Sequence, residues 1–327
     1  MSNLKKIGVL TSGGDAPGMN AAIRAVCRTA IFNNLEVMGV CHGYQGLIDA
    51  DFVPLETSSV ANIIQRGGTI LKTARSMEFM TKEGMQKAYD NMQKSGMDAL
   101  IVIGGDGTFR GATEFTGIYP DIKVIGIAGT IDNDLFGTDY TIGYDTAINT
   151  VVEAVDKIRD TANSHDRLFF IEVMGRDAGF IALRSGIAVG AEDILIPETE
   201  SDIDDLVEKL ENGRSHNKTS GIIIIAEGDE LGGAYDVSKI VKQRLPHYSI
   251  RVSILGHIQR GGSPTCMDRV RASQYGYHAV NALLEEKSGI MIGIVKRDVV
   301  ETPFAQSIKH NNKVRTDLKE MTRILSI

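Results

Sequence analysis

Residues 98–107 read DALIVIGGDG, and this stretch decides the fold class. Its apolar run is continuous rather than alternating, which is the pattern of a strand covered on both faces, as in parallel sheets. The same pattern recurs in KKIGVLTSG (5–13), EVMGVCHG (36–43), KVIGIAG (123–129), RLFFIEVMG (167–175), DILIPE (193–198), SGIIIIAEGD (220–229), VSILGH (252–257) and GIMIGIVKRD (289–298). Between these runs lie helical stretches such as MNAAIRAVCRTAIFNN (19–34), TKEGMQKAYDNMQKSG (81–96) and TAINTVVEAVDKIRDTA (146–162). The last of them sets Ile148, Val151, Val152, Val155 and Ile158 on one helix face. Alternating strand and helix predicts an α/β protein with doubly wound, mainly parallel sheets. A length of 327 residues exceeds most single cores and predicts two such three-layer domains. The chain is free to cross between them more than once.

The bulk composition narrows the function. Hydrophobic content of 43% and charged content of 24% are those of an ordinary globular protein. A net charge of −7 with pI near 5.6 argues against a nucleic-acid binder but permits a local basic pocket for a small anion. Cys27, Cys41 and Cys266 are odd in number and unclustered, which suggests a reducing compartment and no zinc site. The N-terminus lacks the apolar core of a signal peptide, and no run approaches the roughly 18 apolar residues of a membrane helix. A cytoplasmic protein without a membrane partner is expected.

Ligands of doubly wound folds bind at the carboxyl ends of strands, so the loops after the apolar runs carry the function. In TSGGDAPGMNAAIR (11–24), Gly13 and Gly14 permit close backbone approach, and Asp15 and Pro17 fit a helix start whose free N–H groups attract an anion. A plain tight turn explains that stretch equally well. No Walker A signature occurs in the chain. In GGDGTFRG (104–111), Gly104, Gly105 and Gly107 surround Asp106, an arrangement suited to a phosphate cradle with Asp106 holding Mg²⁺. The alternative is a glycine turn with a solvated acid. In GTIDND (129–134), an extended chain past the strand end would aim Asp132 and Asp134 at one point, one accepting a proton and the other tuning it or meeting a metal. An Asx-turn explains one aspartate more easily than two with Thr130. Arg75, Arg167, Arg176, Arg251 and Arg260 are read as following strand ends or glycines, and His257 precedes Arg260 in GHIQRGG (256–262). A surface ion pair accounts for any one arginine. Together, guanidinium forks, phosphate loops, a metal and a carboxylate base are the parts of phosphoryl transfer.

At this point the chain resembles a known family. TSGGDAPGMNAAIR, RGGT with TAR, GGDGT, GTIDND, EVMGR (172–176) and GHIQRGG occur in the order and spacing of bacterial ATP-dependent 6-phosphofructokinases. The resemblance runs to about residue 300. GTIDND with GHIQRGG is specific, whereas NAD kinases and diacylglycerol kinases also carry GGDGT. The resemblance implies transfer of the ATP γ-phosphoryl to the 1-hydroxyl of fructose 6-phosphate, in a cleft between the two domains. It implies an ATP/Mg-binding domain over 1–143 plus about 259–300 and a fructose-6-phosphate-binding domain over 144–258 plus about 301–327. Asp132 takes the position of the general base, supported by Asp134, and Thr130 that of a phosphoryl or substrate contact. Asp106 takes the position of the Mg²⁺ ligand. Gly14, Tyr44, Arg75, Gly105, Gly107 and Thr108 match nucleotide positions, and Arg75 and Arg176 match stabilisers of the pentavalent phosphorus. Met174, Gly175, Glu227, His257 and Arg260 match sugar-binding positions. Arg167 and Arg251 match arginines that reach the 6-phosphate from a neighbouring subunit, so a homotetramer is implied.

Three comparisons with the family bear on donor, regulation and nucleotide preference. Pyrophosphate-dependent relatives typically carry Asp where this chain has Gly107 and Lys where it has Gly129. Glycine at both leaves room for the α-phosphate of ATP. Arg24, Arg28, Arg159, Gly190, Glu192 and Lys218 match an allosteric ADP or phosphoenolpyruvate pocket. Thr57 and Ser58, however, stand where an arginine and an aromatic are usual, and His216 and Ser220 stand at two further basic positions, which predicts a weak or altered effector response. Ser76 and Met80 likewise replace a common aromatic and arginine beside the nucleotide. The rivals are a pyrophosphate-dependent enzyme of the same fold, a lipid or NAD kinase, and a non-catalytic sugar-phosphate-binding regulatory subunit. Gly107 and Gly129 weigh against the first. The second would not need GTIDND, and the third would usually have lost Asp106, Asp132 or Asp134.

Overall fold

The computed structural model describes residues 4–216, 218, 220–307, 314–315 and 317–325, with the backbone alone at position 323. Parts of the expected 301–327 piece (308–313, 316, 326 and 327) lie outside the described residues. The strands are β1 Lys6–Thr11, β2 Glu36–Val40, β3 Phe52–Pro54, β4 Ala99–Gly104, β5 Lys123–Ala128, β6 Arg167–Val173, β7 Asp193–Leu195, β8 Gly221–Ala226, β9 Ser249–Ile254, β10 Ile290–Val295 and β11 Asp298–Pro303. The helices are α1 Met19–Phe32, α2 Tyr44–Asp49, α3 Lys82–Ser95, α4 Asp106–Ile118, α5 Tyr144–Ser164, α6 Phe180–Ala188, α7 Ile203–Ser215, α8 Ala234–Arg244, α9 Cys266–Leu284 and α10 Asp317–Leu325.

The chain divides into two compact units, Met1–Thr146 with Arg260–Asn312 and Ala147–Gln259 with Lys313–Ile327. The first holds a sheet of order β11-β10-β5-β4-β1-β2-β3. Its inner strands pair in parallel, Ile7 against Ala99 and Ala99 against Lys123, while β3 and β11 close the edges antiparallel. The second holds the all-parallel sheet β7-β8-β6-β9. Every residue of β4 and of β8 is buried, so both faces of each sheet are covered along these inner strands, as their uninterrupted apolar sequences require. The break expected near residue 300 would cut β11, which pairs with β10 from Asp298 to Pro303 and therefore stays in the first unit.

Local chemistry ends the elements where the sequence suggests. Thr81 Oγ1 accepts from Gly84 N at 3.0 Å at the start of α3, and Gly96 closes that helix at φ 72°. Helix α1 begins at Met19 rather than at Asp15, because Gly18 turns the chain at φ 109°.

Candidate active site

In the first unit the strand order reverses between β1 and β4, and doubly wound sheets bind ligands outside the carboxyl ends at that reversal. Three loops meet there. Ser12 N donates to Ile103 O at 2.9 Å, Thr108 Oγ1 donates to Ser12 O at 3.2 Å, and Gly129 N donates to Gly104 O at 2.9 Å. Gly104 must be glycine, since a Cβ would lie 2.3 Å from Thr108 Oγ1 and 2.5 Å from Ser12 O. The ends of β1, β4 and β5 are thereby tied into one surface carrying Gly13–Gly14, Gly105–Thr108 and Thr130–Asp134.

Asp106 is the first residue of α4, where the helix dipole favours negative charge. Arg110 lies one turn on, its Nε 3.0 Å from the Asp106 carboxylate. Gly107 follows, and a Cβ built there meets nothing within 4 Å. Gly129 differs. A Cβ there would sit 3.0 Å from Ile103 and 3.3 Å from Met19, so this glycine serves close packing and does not leave the room expected of it.

The segment after β5 corrects a second expectation. It is not extended, because Asn133 adopts φ 53°. Asparagine tolerates that conformation, and here its side chain fastens it. Oδ1 accepts from Thr141 N at 2.7 Å, and Nδ2 donates to Asp139 O at 3.2 Å. Thr130 Oγ1 accepts from Asp132 N at 3.2 Å, and Thr130 O accepts from Thr141 Oγ1 at 2.5 Å. Asp132 is 3% exposed and Asp134 is half-buried. Their placement comes from this polar clamp and not from the two-residue alternation of a strand.

Tyr44 is a support and not an open ring. It stacks on Phe79 at 4.1 Å and donates to Thr108 O at 2.6 Å, and burial pushes its phenol far above the usual range. Ser76 extends the same brace, donating to Gln45 Oε1 at 2.7 Å, while Met77 and Met80 are exposed. Thr73 Oγ1 donates to Gly13 O at 2.8 Å, which brings the exposed Arg75 to the edge of the glycine loop. Arg260 lies on that loop: a Cβ at Gly14 would be 2.6 Å from its Nη1, which also contacts Asp15 O at 3.4 Å.

In the second unit the residues that follow β6 converge with those that follow its neighbours β8 and β9. Glu227 Oε1 accepts from Gly175 N at 3.3 Å and from Arg176 N at 2.8 Å. This carboxylate sits in a concavity of successive backbone N–H groups, an arrangement that favours an anion, and it holds Arg176 at φ 55°. His257 is exposed on the turn after β9. Arg167 and Arg251 do not follow strand ends. Arg167 opens β6, and Arg251 lies inside β9, whose Ser249 is paired with Arg167. The two share one face near the amino end of the sheet. Six steps of strand, about 20 Å, separate Arg167 from the Met174 loop.

The candidate effector residues fall in both units. Arg24 and Arg28 lie on α1, where burial and then the neighbouring Arg28 lower the Arg24 pKa. Arg159 donates to Val189 O and Gly190 O, and Lys218 pairs with Glu192 at 2.6 Å. Burial raises the Glu192 pKa against the pull of Lys218 and Arg159. Thr57 and Ser58 are exposed, His216 Nδ1 lies 2.8 Å from Asn212 O, and Ser220 donates to Asn163.

Sequence reasoning passed over Asn133, Asn20 and Gln259. Buried Asn20 donates to Arg66 O and Gly67 O and accepts from Ile70 N at 2.7 Å, fixing the RGGT stretch. An amide inside each motif was the available signal. Among the described residues no cluster of three or more His, Cys, Asp or Glu side chains forms a metal cage, and no helix is long and apolar enough to cross a membrane.

The family model for phosphofructokinase matches residues 6–283. An ATP-dependent 6-phosphofructokinase 2 of Bacteroides thetaiotaomicron is 54% identical over 327 residues, covering all of both chains. The phosphofructokinase structure of Saccharomyces cerevisiae superposes with TM-score 0.88 at 39% identity, over 99% of this chain and 48% of that one. A pyrophosphate-dependent phosphofructokinase of Marinobacter aquaeolei shares the fold at TM-score 0.84 but only 21% identity, over 98% of this chain and 91% of that one. With the glycine loops, the GTIDND clamp and the Met174–Arg176 turn in place, the chain belongs to the phosphofructokinase family.

Proposed function

We infer that the chain transfers the γ-phosphoryl of ATP to the 1-hydroxyl of fructose 6-phosphate, releasing fructose 1,6-bisphosphate and ADP. The observation that carries this reading is the joining of the β1, β4 and β5 ends into one surface bearing Asp106, the open Gly107 and the buried Asp132. Asp132 accepts the proton of the 1-hydroxyl as its oxygen bonds to the γ-phosphorus. The bond to the β–γ bridging oxygen breaks, and its electron pair leaves with ADP. Thr130 and Asp134 hold the reacting groups in line. Arg75 and Arg176 meet the charge that develops on the phosphoryl oxygens.

Gly14, Gly105, Gly107 and Thr108 receive the nucleotide phosphates, with Tyr44 bracing Thr108 from below. The donor set fits Mg²⁺ held by the Asp106 carboxylate together with substrate phosphates, the usual arrangement for that ion where the protein offers one carboxylate. Bound there, Mg²⁺ would supply neutralisation of phosphate charge. Met174, Gly175, Arg176, Glu227, His257 and Arg260 receive the sugar.

Arg167 and Arg251, about 20 Å along the strand from the Met174 loop, are assigned to a sugar phosphate bound by a neighbouring copy, within a homotetramer. An allosteric response to ADP or phosphoenolpyruvate through Arg24, Arg28, Arg159, Gly190, Glu192 and Lys218 is expected to be weak. Thr57 and Ser58 offer neither a guanidinium nor an aromatic face, and an anion must compete with the Lys218–Glu192 pair.

A steady-state assay with fructose 6-phosphate and Mg²⁺, run in parallel with ATP and with pyrophosphate, tests the reading. Turnover with ATP alone is expected. Turnover with pyrophosphate overturns the donor assignment, and the absence of turnover with either overturns the reading as a whole.

A further inference from the structure

We propose that Gln259 is a positioning residue for fructose 6-phosphate, its side-chain amide fixing the Met174–Arg176 turn to the Gly256–Gln259 turn. The inference deepens the sugar-binding assignment above and rests on it. Gln259 is wholly buried at 0% exposure, although its neighbours His257 and Ile258 are exposed. Its Oε1 accepts from Met174 N at 3.3 Å, and its Nε2 donates to Gly256 O at 3.0 Å. An N–H stands on one side and a C=O on the other, so the bridge needs one acceptor and one donor on a single planar group. The glutamine amide supplies both. A carboxylate would face the Gly256 carbonyl with a second acceptor, and an apolar side chain would take the side-chain partner from two partly buried backbone groups.

Two side chains therefore hold the turn after β6. Gln259 takes the Met174 N–H, and Glu227 takes the N–H groups of Gly175 and Arg176. Three successive amides are fixed, and with them the backbone from which the Arg176 side chain leaves. The two anchors differ in kind. Glu227 is exposed and open to the sugar, whereas Gln259 has no exposed surface and acts only through the backbone it holds.

The test compares Gln259→Met, which keeps the volume and removes both hydrogen bonds, with Gln259→Glu, which keeps the acceptor toward Met174. Arg176→Ala serves as a control on the underlying assignment. Kinetics are measured with each substrate varied in turn. In Gln259→Met, KM for fructose 6-phosphate should rise about ten- to hundredfold, with KM for ATP within about twofold of the parent. Gln259→Glu should raise KM for fructose 6-phosphate at least as far as Gln259→Met does, because it sets a buried carboxylate against the Gly256 carbonyl. Equal shifts for both substrates, or no shift in a folded variant, overturn the proposal. If Arg176→Ala leaves fructose 6-phosphate kinetics unchanged, the sugar assignment fails and the role of Gln259 fails with it. A collapse in Arg176→Ala beside unchanged kinetics in Gln259→Met removes Gln259 alone. Should neither Gln259 variant fold, hydrogen exchange of the parent enzyme decides. Protection of the Met174 amide comparable to the β6 interior is expected, and exchange at the rate of an open loop overturns the bridge.

Discussion

Gly107→Asp is the sharpest perturbation of the donor assignment, because the structure separates its effect on binding from its effect on folding. Gly107 is the second residue of α4, outside the left-handed region, and a Cβ there meets nothing within 4 Å. The new side chain therefore enters open space without strain. A carboxylate in the first turn of a helix is worth about 0.3–1 kcal/mol of stabilisation, and replacing glycine inside a helix adds a few tenths more. The melting temperature should hold or rise by about a degree or two.

Binding should move the other way. A unit negative charge about 6 Å from a phosphate is repelled by about 0.7 kcal/mol in bulk water and about 2.8 kcal/mol at an effective dielectric constant near 20. Those limits correspond to a rise in KM for ATP of about three- to hundredfold, with product inhibition by ADP weakened to a similar degree. Fructose 6-phosphate KM should stay close to the parent value. Gly107→Ala is the control, since its methyl group fills the same open space without charge and should leave KM for ATP nearly unchanged. The electrostatic reasoning is refuted if the alanine variant loses as much affinity as the aspartate variant. It is also refuted if Gly107→Asp melts several degrees lower, or leaves ATP kinetics untouched.

Three other outcomes are expected. Asp132→Ser should lower kcat by about 10²–10⁴-fold while fructose 6-phosphate binding, followed by calorimetry, persists; an unchanged kcat removes Asp132 from proton transfer. Tyr44→Phe deletes the hydrogen bond to the Thr108 carbonyl and should destabilise by about 1 kcal/mol, read as a small drop in the denaturation midpoint at an unchanged m-value. Burial pushes the Cys27 thiol up to about 11 and also raises that of Cys41, so iodoacetamide at pH 8 should label the exposed Cys266 first, and early labelling of Cys27 in folded protein would contradict its burial.

Among the described strands nine were legible, most clearly β1, β4, β5 and β8, where burial on both faces leaves little choice but an uninterrupted apolar run, while β9, which carries Arg251, is only half-buried. The two that were not, β3 and β11, are antiparallel edges. FVP is short and largely exposed, and in DVVETP only Thr302 is buried, so neither needs an apolar sequence. Helix α5 was legible from its stripe, of which Val151 and Val155 are buried. Glycine was a fair guide at 107 and a poor one at 129. The sequence states that a Cβ is missing, while only the fold states whether open space or Ile103 lies where it would have been.

The same distinction governs the site. Asp106, Asp132, Glu227 and Arg176 were conspicuous as charged groups after buried strands, whereas Arg167 and Arg251 lie at the start of and inside their strands. How they are aimed was not. An extended chain was the natural assumption for GTIDND, but the strand pairing ends at Ala128 opposite Gly104, and beyond it the backbone must find other partners. Asn133 supplies them, answering Thr141 eight residues on and Asp139 six residues on. For the Met174 turn the partners are Glu227 and Gln259, at separations of 51 to 85 residues. No periodicity reports a contact of that range, and an amide carries no charge to draw notice. In both places the residue assigned to the chemistry and the residue that holds its backbone are different. The aiming residue is neutral where it must be buried, because an amide can answer a donor and an acceptor at once without the desolvation penalty of an ion. Asn133 at 4% exposure and Gln259 at 0% meet that condition, and Glu227, which is charged, remains at the surface. Substitutions of Asn133 and Gln259 should therefore misdirect the site before they unfold it.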